Sequence, residues 1–213
     1  MTHSERPRAT DRPPFEIVRA VPGDTGRAAE TLAAAFAVDP HVVGLLPHGD
    51  VDASLTRLWR RIVTETFQAG GHVYLALAPD RPEPLGVTLW EAPGSKVSLR
   101  GMLPGLSTYL RIFRTRFADA MTTEYLAHRA HPEAPHWYLK AVGTLPQARG
   151  AGVGDRLIRS RLAEVDREGT GAYLEASTED LVPFYGRFGF ERLGPVPCRG
   201  TVPAVGMWRP PAR

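Results

Sequence analysis

Residues 144–158 read TLPQARGAGVGDRLI, with glycines at 150, 152 and 154. No other stretch restricts the fold as much. Before it, HWYLKAVGT (136–144) has strand character; after it, apolar residues recur at helical spacing to about Glu168, and GAYLEAST (171–178) is again a strand. A strand that turns through glycines into a helix and returns as a strand is a β-α-β crossover, the unit of α/β folds. The turn also constrains function. A helix start presents unpaired backbone N–H groups, and the helix dipole adds positive potential there, so the site favours an anion. Without Cβ atoms at the three glycines, an extended phosphate chain can lie close to the main chain. Arg149 is placed to pair with it.

The remaining segments supply a sheet of mixed direction. FEIVRA (15–20) alternates as a first strand, and Asp24 stands as N-cap of an alanine-rich helix ending before Pro40. Residues 51–67 carry helical spacing and stop at Gly70-Gly71. HVYLALA (72–78) and LGVTLWEA (85–92), joined by PDRPEP, form an antiparallel hairpin. Residues 95–130 read as helical, broken by Gly101, Pro104 and Gly105. VPFYGRF (182–188) is a short helix, and FERLG and AVGMWR are closing strands. The expectation is an α/β fold with an antiparallel first half. It forms a single domain over 15–213, after a polar, proline-rich lead-in at 1–14 that is expected to be disordered.

Composition narrows the class. A net charge of +3 with scattered basic residues excludes a dedicated nucleic-acid binder. No run of eighteen apolar residues is present, so no membrane span is expected, and residues 1–14 lack the apolar region of a secretory signal. These readings place the protein in the cytoplasm. The lone Cys198 excludes an internal disulfide and has no activating neighbour in sequence. His128 and His131 lack a carboxylate or thiol at ligand spacing and read as exposed loop residues, so no metal site is expected.

Two phosphate motifs fail. Gly154 is followed by Asp155-Arg156 where a Walker loop needs Lys-Ser/Thr, and the even spacing of the glycines does not match G-x-G-x-x-G. Arg149-x-x-Gly152-x-Gly154, with Pro146 before it and Leu157-Ile158 after it, instead resembles the acetyl-CoA pyrophosphate loop of the GNAT superfamily of N-acetyltransferases. The phase Gln147-x-x-Gly150-x-Gly152 also satisfies the pattern, but only the Arg149 phase puts Pro146 and Leu157 where the family has them. The strand YLKAVGTLP, then LEASTED, then FYGRFGF continue the likeness over roughly 136–193. AETLAAAFAVDP resembles the first helix of the branch that includes puromycin N-acetyltransferases.

The resemblance implies a mixed, mostly antiparallel sheet flanked by helices, with a V-shaped splay between the fourth and fifth strands. It implies acetyl-CoA as cosubstrate, held by Val142, Gly143, Thr144, Arg149, Gly150, Ala151, Gly152, Val153, Gly154, Asp155 and Ser177. It implies an oxyanion donor among the backbone N–H groups at 142–144, on a strand that carries a bulge; Gly143 is consistent with that bulge. Tyr185 would be the general acid for the leaving thiolate. Relatives often carry Asn where this chain has Leu181, and Ser177 or Thr178 can substitute for that contact.

Transfer to an amine also needs a base, because an alkylamine is mostly protonated at pH 7 and freeing it costs about 4–5 kcal/mol. Glu175, His136 and Tyr138 are candidates, acting directly or through water. The activity expected is acetylation of a small-molecule primary amine by direct attack in a ternary complex, by a monomer or homodimer. The alternatives are a protein lysine or N-terminal acetyltransferase and a non-catalytic acyl-CoA sensor. Residues 15–135 would form the acceptor side. Trp59, Tyr109, Phe113, Phe117 and Tyr125 within 41–70 and 95–130, together with Trp90, would line an aromatic wall.

Overall fold

Seven segments alternate or run apolar strongly enough to form strands, and in a computed structural model they join one sheet in the order β1-β2-β3-β4-β5-β7-β6. The structure describes residues 15–47, 49, 51–95 and 99–212, with the backbone alone over 99–104. The expected tail at 1–14 lies outside the described residues. The strands are β1 (Glu16–Arg19), β2 (His72–Leu77), β3 (Gly86–Glu91), β4 (His136–Thr144), β5 (Gly171–Ala176), β6 (Glu191–Pro195) and β7 (Val205–Arg209). Every neighbouring pair is antiparallel except β4 and β5. These two are joined by the crossover helix α6 (Val153–Arg167).

One face of the sheet is covered by α6, and the other by α1 (Thr25–Phe36) and α3 (Val51–Gln68). Each face buries its own core. Trp137, Leu139, Leu157, Ile158 and Leu162 lie on the α6 side, and Leu32, Leu55, Trp59, Leu75 and Leu89 on the other. Full burial of each such side chain stabilises by about 1.5–3 kcal/mol. Arg161 of α6 is also fully buried. Its guanidinium lies 3.8 Å over the Trp137 ring and donates from Nη1 to Glu164 (2.6 Å) and Glu168 (3.0 Å).

Three local features depart from the sequence reading. Pro40 opens a short helix, α2 (Pro40–Gly44), capped by Asp39, whose carboxylate accepts from the Val42 N–H at 3.0 Å. The helix α4 (Leu99–Phe113) runs through Gly101, Pro104 and Gly105. The break before α5 (Phe117–Ala130) falls at Arg114, which takes a φ of 46° and opens a 3-10 turn. The bulge lies at Lys140, not at Gly143, because Leu89 pairs with Ala141 while Trp90 pairs with Leu139.

Gly143 has a different role. A Cβ there would stand 2.9 Å from both Ala35 Cβ and Leu32 Cδ2, so glycine lets α1 sit directly on β4.

The Lys140 bulge positions the site. Upstream of it Trp137 and Leu139 face α6; downstream Ala141 faces α1 and α3. One extra residue therefore turns Val142 and Thr144 over to the α6 face, where strict alternation would have kept them beside Tyr138. The same point ends the contact between β4 and β5, which pair only from His136↔Gly171 to Leu139↔Leu174. Beyond it β4 stays with β3 and β5 stays with β7, which makes the expected splay.

Candidate active site

The glycine turn forms one side of the splay. Gly150 and Gly152 take φ of 79° and 80°, a left-handed conformation in which a side chain costs about 1–2 kcal/mol. Gly152 is the N-cap of α6. Arg156 is the first residue whose N–H finds a helical acceptor, Gly152 O at 3.1 Å, so the N–H groups of Val153, Gly154 and Asp155 point out of the helix end. A Cβ on Gly154 would meet Thr144 Oγ1 (3.5 Å), Phe184 Cζ (3.8 Å) and Val142 Cγ2 (3.9 Å). Glycine thus keeps open a slot between α6, β4 and the short helix α7 (Val182–Gly186).

Backbone donors line the same slot. The Leu145 N–H donates to Leu85 O, immediately before β3, at 2.9 Å. By alternation the N–H groups of Val142 and Thr144 point away from β3, into the splay, where β5 has no residue in register. Open helix-end donors, free strand donors and a cradle that a Cβ would fill suit a phosphate-bearing arm laid along β4.

Tyr185 on α7 is buried in the α6-side core, and among the described residues no hydrogen bond to its hydroxyl is found. Burial, with a smaller push from the Asp39 carboxylate, raises its pKa well above the usual phenol value, so it stays a proton donor.

The opposite side of the splay carries a carboxylate. Glu175 follows the last β4–β5 pair, and its oxygens accept from Tyr138 and Tyr173, each at 3.3 Å. His131 Nε2 stands 3.8 Å from Oε1. Burial and the nearby Glu124 push the Glu175 pKa up to about 7, against the pull of Lys140 and the two tyrosines. Tyr138 and Tyr173 are raised by burial and by Glu175 itself, so both remain donors.

Glu175 faces a cavity of about 510 Å³. Its wall is aromatic (Phe36, Trp59, Tyr109, Phe113, Tyr138) and acidic (Glu65, Glu91, Glu124, Glu175). Lys140 donates to Glu91 (2.9 Å) and Glu124 (3.5 Å). Burial opposes its charge, but the two carboxylates outweigh that and hold its pKa well above normal. Glu65 is matched by Arg61 at 2.6 Å and by the Tyr109 hydroxyl. Since Lys140 serves two carboxylates, the cavity keeps an excess of negative charge.

The acetyltransferase (GNAT) domain pattern matches residues 123–209. A solved structure from Corynebacterium glutamicum, described as histone acetyltransferase HPA2 and related acetyltransferase, is 30% identical over 93% of this chain and 97% of its own, with a TM-score of 0.74. The chain belongs to the GNAT acetyltransferases. The fold is shared with mosquito arylalkylamine N-acetyltransferase like 5b (13% identity, 92% and 98% coverage, TM-score 0.55). It is also shared with a chain of the NatC complex bound to Gag peptide and CoA (12% identity, 93% and 99% coverage, TM-score 0.56). The protein is therefore an acyltransferase, and acetyl-CoA is the family's donor.

In this GNAT protein the expected residues divide between the two sides of the splay. Val142, Thr144, Gly152, Val153 and Gly154 meet around the slot, Gly150 and Ala151 belong to the turn that leads into it, and Glu175 and Ser177 line the cavity. Three residues are engaged elsewhere. Arg149 donates to Ala35 O at the end of α1 (3.0 Å) and stays exposed. The Asp155 carboxylate is turned along α6 to Arg159 (2.9 Å), leaving its N–H at the helix end. His136 is separated from Glu175 by His131.

His131 is not an exposed loop residue. It caps α5 and packs between Tyr138 and Tyr173, with ring centroids at 4.5 and 4.6 Å. Of the expected aromatic wall, Trp59, Tyr109 and Phe113 line the cavity. Trp90 is buried on the α6 face, Phe117 packs behind the wall, and Tyr125 is 59% exposed. Sequence reading missed Lys140, Glu91, Glu124 and Tyr173. Tyr173 and Lys140 carried a usable signal, since two-residue alternation places them on the faces of Glu175 and Tyr138.

Proposed function

We propose that this acetyltransferase transfers the acetyl group of acetyl-CoA to a primary amine of a small molecule by direct attack in a ternary complex. One observation carries the reading: Glu175 follows the last β4–β5 pair, where the strands splay, and faces an aromatic and acidic cavity. The excess negative charge draws an ammonium group in, and the aromatic walls suit an apolar or aromatic body. Glu175 takes the ammonium proton. A base with a pKa near 7 is well matched to that task, and the Tyr138 and Tyr173 hydroxyls hold its carboxylate in place.

The freed amine attacks the thioester carbonyl carbon. The N–H groups of Val142 and Thr144 are placed to meet negative charge as it develops on the carbonyl oxygen. Tyr185 gives its proton to the departing sulfur, and the second proton, shed by the nitrogen as the amide forms, returns through water to the Tyr185 oxygen. The N–H groups at the start of α6 and the glycine turn take the pyrophosphate, with Arg149 at the edge of the loop.

The test is calorimetric titration with acetyl-CoA, followed by thiol release with a panel of acceptors. The panel holds an arylalkylamine, an aliphatic diamine, an aminonucleoside of the puromycin type, a lysine-bearing histone-tail peptide and a peptide with a free N-terminus. The aminonucleoside is included because the puromycin-like segment, residues 29–40, reaches the cavity wall at Phe36. The histone peptide answers to the description of the Corynebacterium relative. Fastest release with a small amine is the expected result; release with peptides alone would overturn the acceptor class.

A further inference from the structure

Three imidazoles gather behind Glu175, on the side away from the cavity. His131 has ring centroids 5.6 Å from His128 and 5.3 Å from His136. Their hydrogen bonds have a determined direction. His136 Nδ1 lies 2.7 Å from Ala134 O, and a carbonyl only accepts, so Nδ1 carries the hydrogen. The Nε2 of neutral His136 is then an acceptor. It faces His131 Nδ1 at 3.3 Å, so that nitrogen must donate. The Nε2 of neutral His131 is left bare, 3.8 Å from Glu175 Oε1. A chain of proton sites thus runs from the carboxylate through a mostly buried ring to one beside the exposed residues Glu133, Ala134 and Pro135.

We propose that His131 and His136 form a proton exit that carries the proton taken by Glu175 to solvent. The inference rests on Glu175 being the base. In the transfer the Glu175 O–H bond breaks as an N–H bond forms at His131 Nε2. The His131 Nδ1–H bond breaks as one forms at His136 Nε2. His136 then releases its Nδ1 proton to water, and each ring regains its starting tautomer by giving its Nε2 proton to water and taking one from water at Nδ1, an exchange that leaves the proton count unchanged. His131 takes one proton as it gives another, so it need not hold a full charge inside its cage. That matters because burial, His136, His128 and Lys140 all oppose its protonation and lower its pKa to about 4. The groups facing the ring are His128 and Glu124 of α5, His136, Tyr138 and Lys140 of β4, and Tyr173 and Glu175 of β5.

The test compares His131→Phe, His136→Phe and Glu175→Gln in dilute buffer. Phenylalanine keeps an aromatic ring against Tyr138 and Tyr173 but has no nitrogen. The expected result for either histidine variant is unchanged acetyl-CoA affinity by calorimetry, kcat lower by about tenfold or more, and recovery on adding imidazole. Glu175→Gln is expected to be inactive and beyond imidazole rescue. Undiminished kcat in both histidine variants, or a loss that imidazole does not restore, would overturn the exit while leaving the base in place. Full activity of Glu175→Gln would overturn the base and the exit together. Should His131→Phe not fold, His136→Phe decides alone: undiminished kcat in dilute buffer overturns the exit.

Discussion

Replacing Glu175 with glutamine should inactivate the enzyme and, above neutral pH, stabilise it. In the folded protein the carboxyl titrates at about 7, against an ordinary value of 4.5. The folded state therefore holds its proton more tightly than the unfolded chain does. The stability this confers is complete below pH 4.5 and is lost as pH rises through 7. The gap of roughly 2.5 between the two values, at about 1.4 kcal/mol each, amounts to roughly 3 kcal/mol. Glutamine does not titrate, and its amide oxygen can accept from one of the two tyrosines, which donate to separate oxygens of the carboxyl.

The stability of Glu175→Gln relative to the parent should thus rise by about 3 kcal/mol between pH 4.5 and pH 8. For a chain of this size that is about 6–12 °C in Tm. His131 works in the opposite sense. Its pKa is lowered from 6.5 to about 4, so it adds stability as pH rises through that window and flattens the parent's own curve. Comparing the two proteins cancels this contribution, since His131 is present in both. Urea unfolding at pH 5, 6, 7 and 8 measures the difference, and a difference independent of pH refutes the assignment of a raised pKa to Glu175. The companion rate measurement should show a loss of about 10²–10⁴ in kcat.

Other perturbations address separate parts of the argument. The parent's kcat/KM should rise about tenfold per pH unit below 7 and level off above it, because only ionised Glu175 accepts the proton; a profile flat from pH 5.5 to 8 contradicts this. Tyr185→Phe should lower kcat by about 10–100-fold with acetyl-CoA affinity unchanged by calorimetry, and unchanged turnover removes Tyr185 as general acid. Gly143→Ala should cost about 1–3 kcal/mol in urea unfolding, because its methyl group would press on Leu32 and Ala35 at 2.9 Å. Gly152→Ala, at a φ of 80°, should cost about 1–2 kcal/mol and weaken acetyl-CoA binding in calorimetry.

The β-α-β unit and the helix start at its centre were readable along the chain because the signals are local. Alternation defines β4 and β5, left-handed glycines stop one element, and helical spacing starts the next. The hairpin of β2 and β3 follows from its short connection in the same way. The N-cap of α6 falls at Gly152, within the glycine turn. The helix break at Arg114 was not readable, because a positive φ at arginine is imposed by how α4 and α5 pack and not by residue preference.

The slot and the cavity owe their separation to the bulge at Lys140. It exists only in relation to β3, and no count along β4 reveals it. Arg161, a polar residue by pattern, is buried because Trp137, Glu164 and Glu168 receive it. The same holds for the acid–base chemistry. The sequence by itself determined that a β-α-β unit with a glycine-rich, open helix start would form, since those preferences act within a few residues. Only the tertiary structure decided that Glu175 would titrate near 7 among Tyr138, Tyr173 and His131. Desolvation and charge act through space, and those groups come from three different elements.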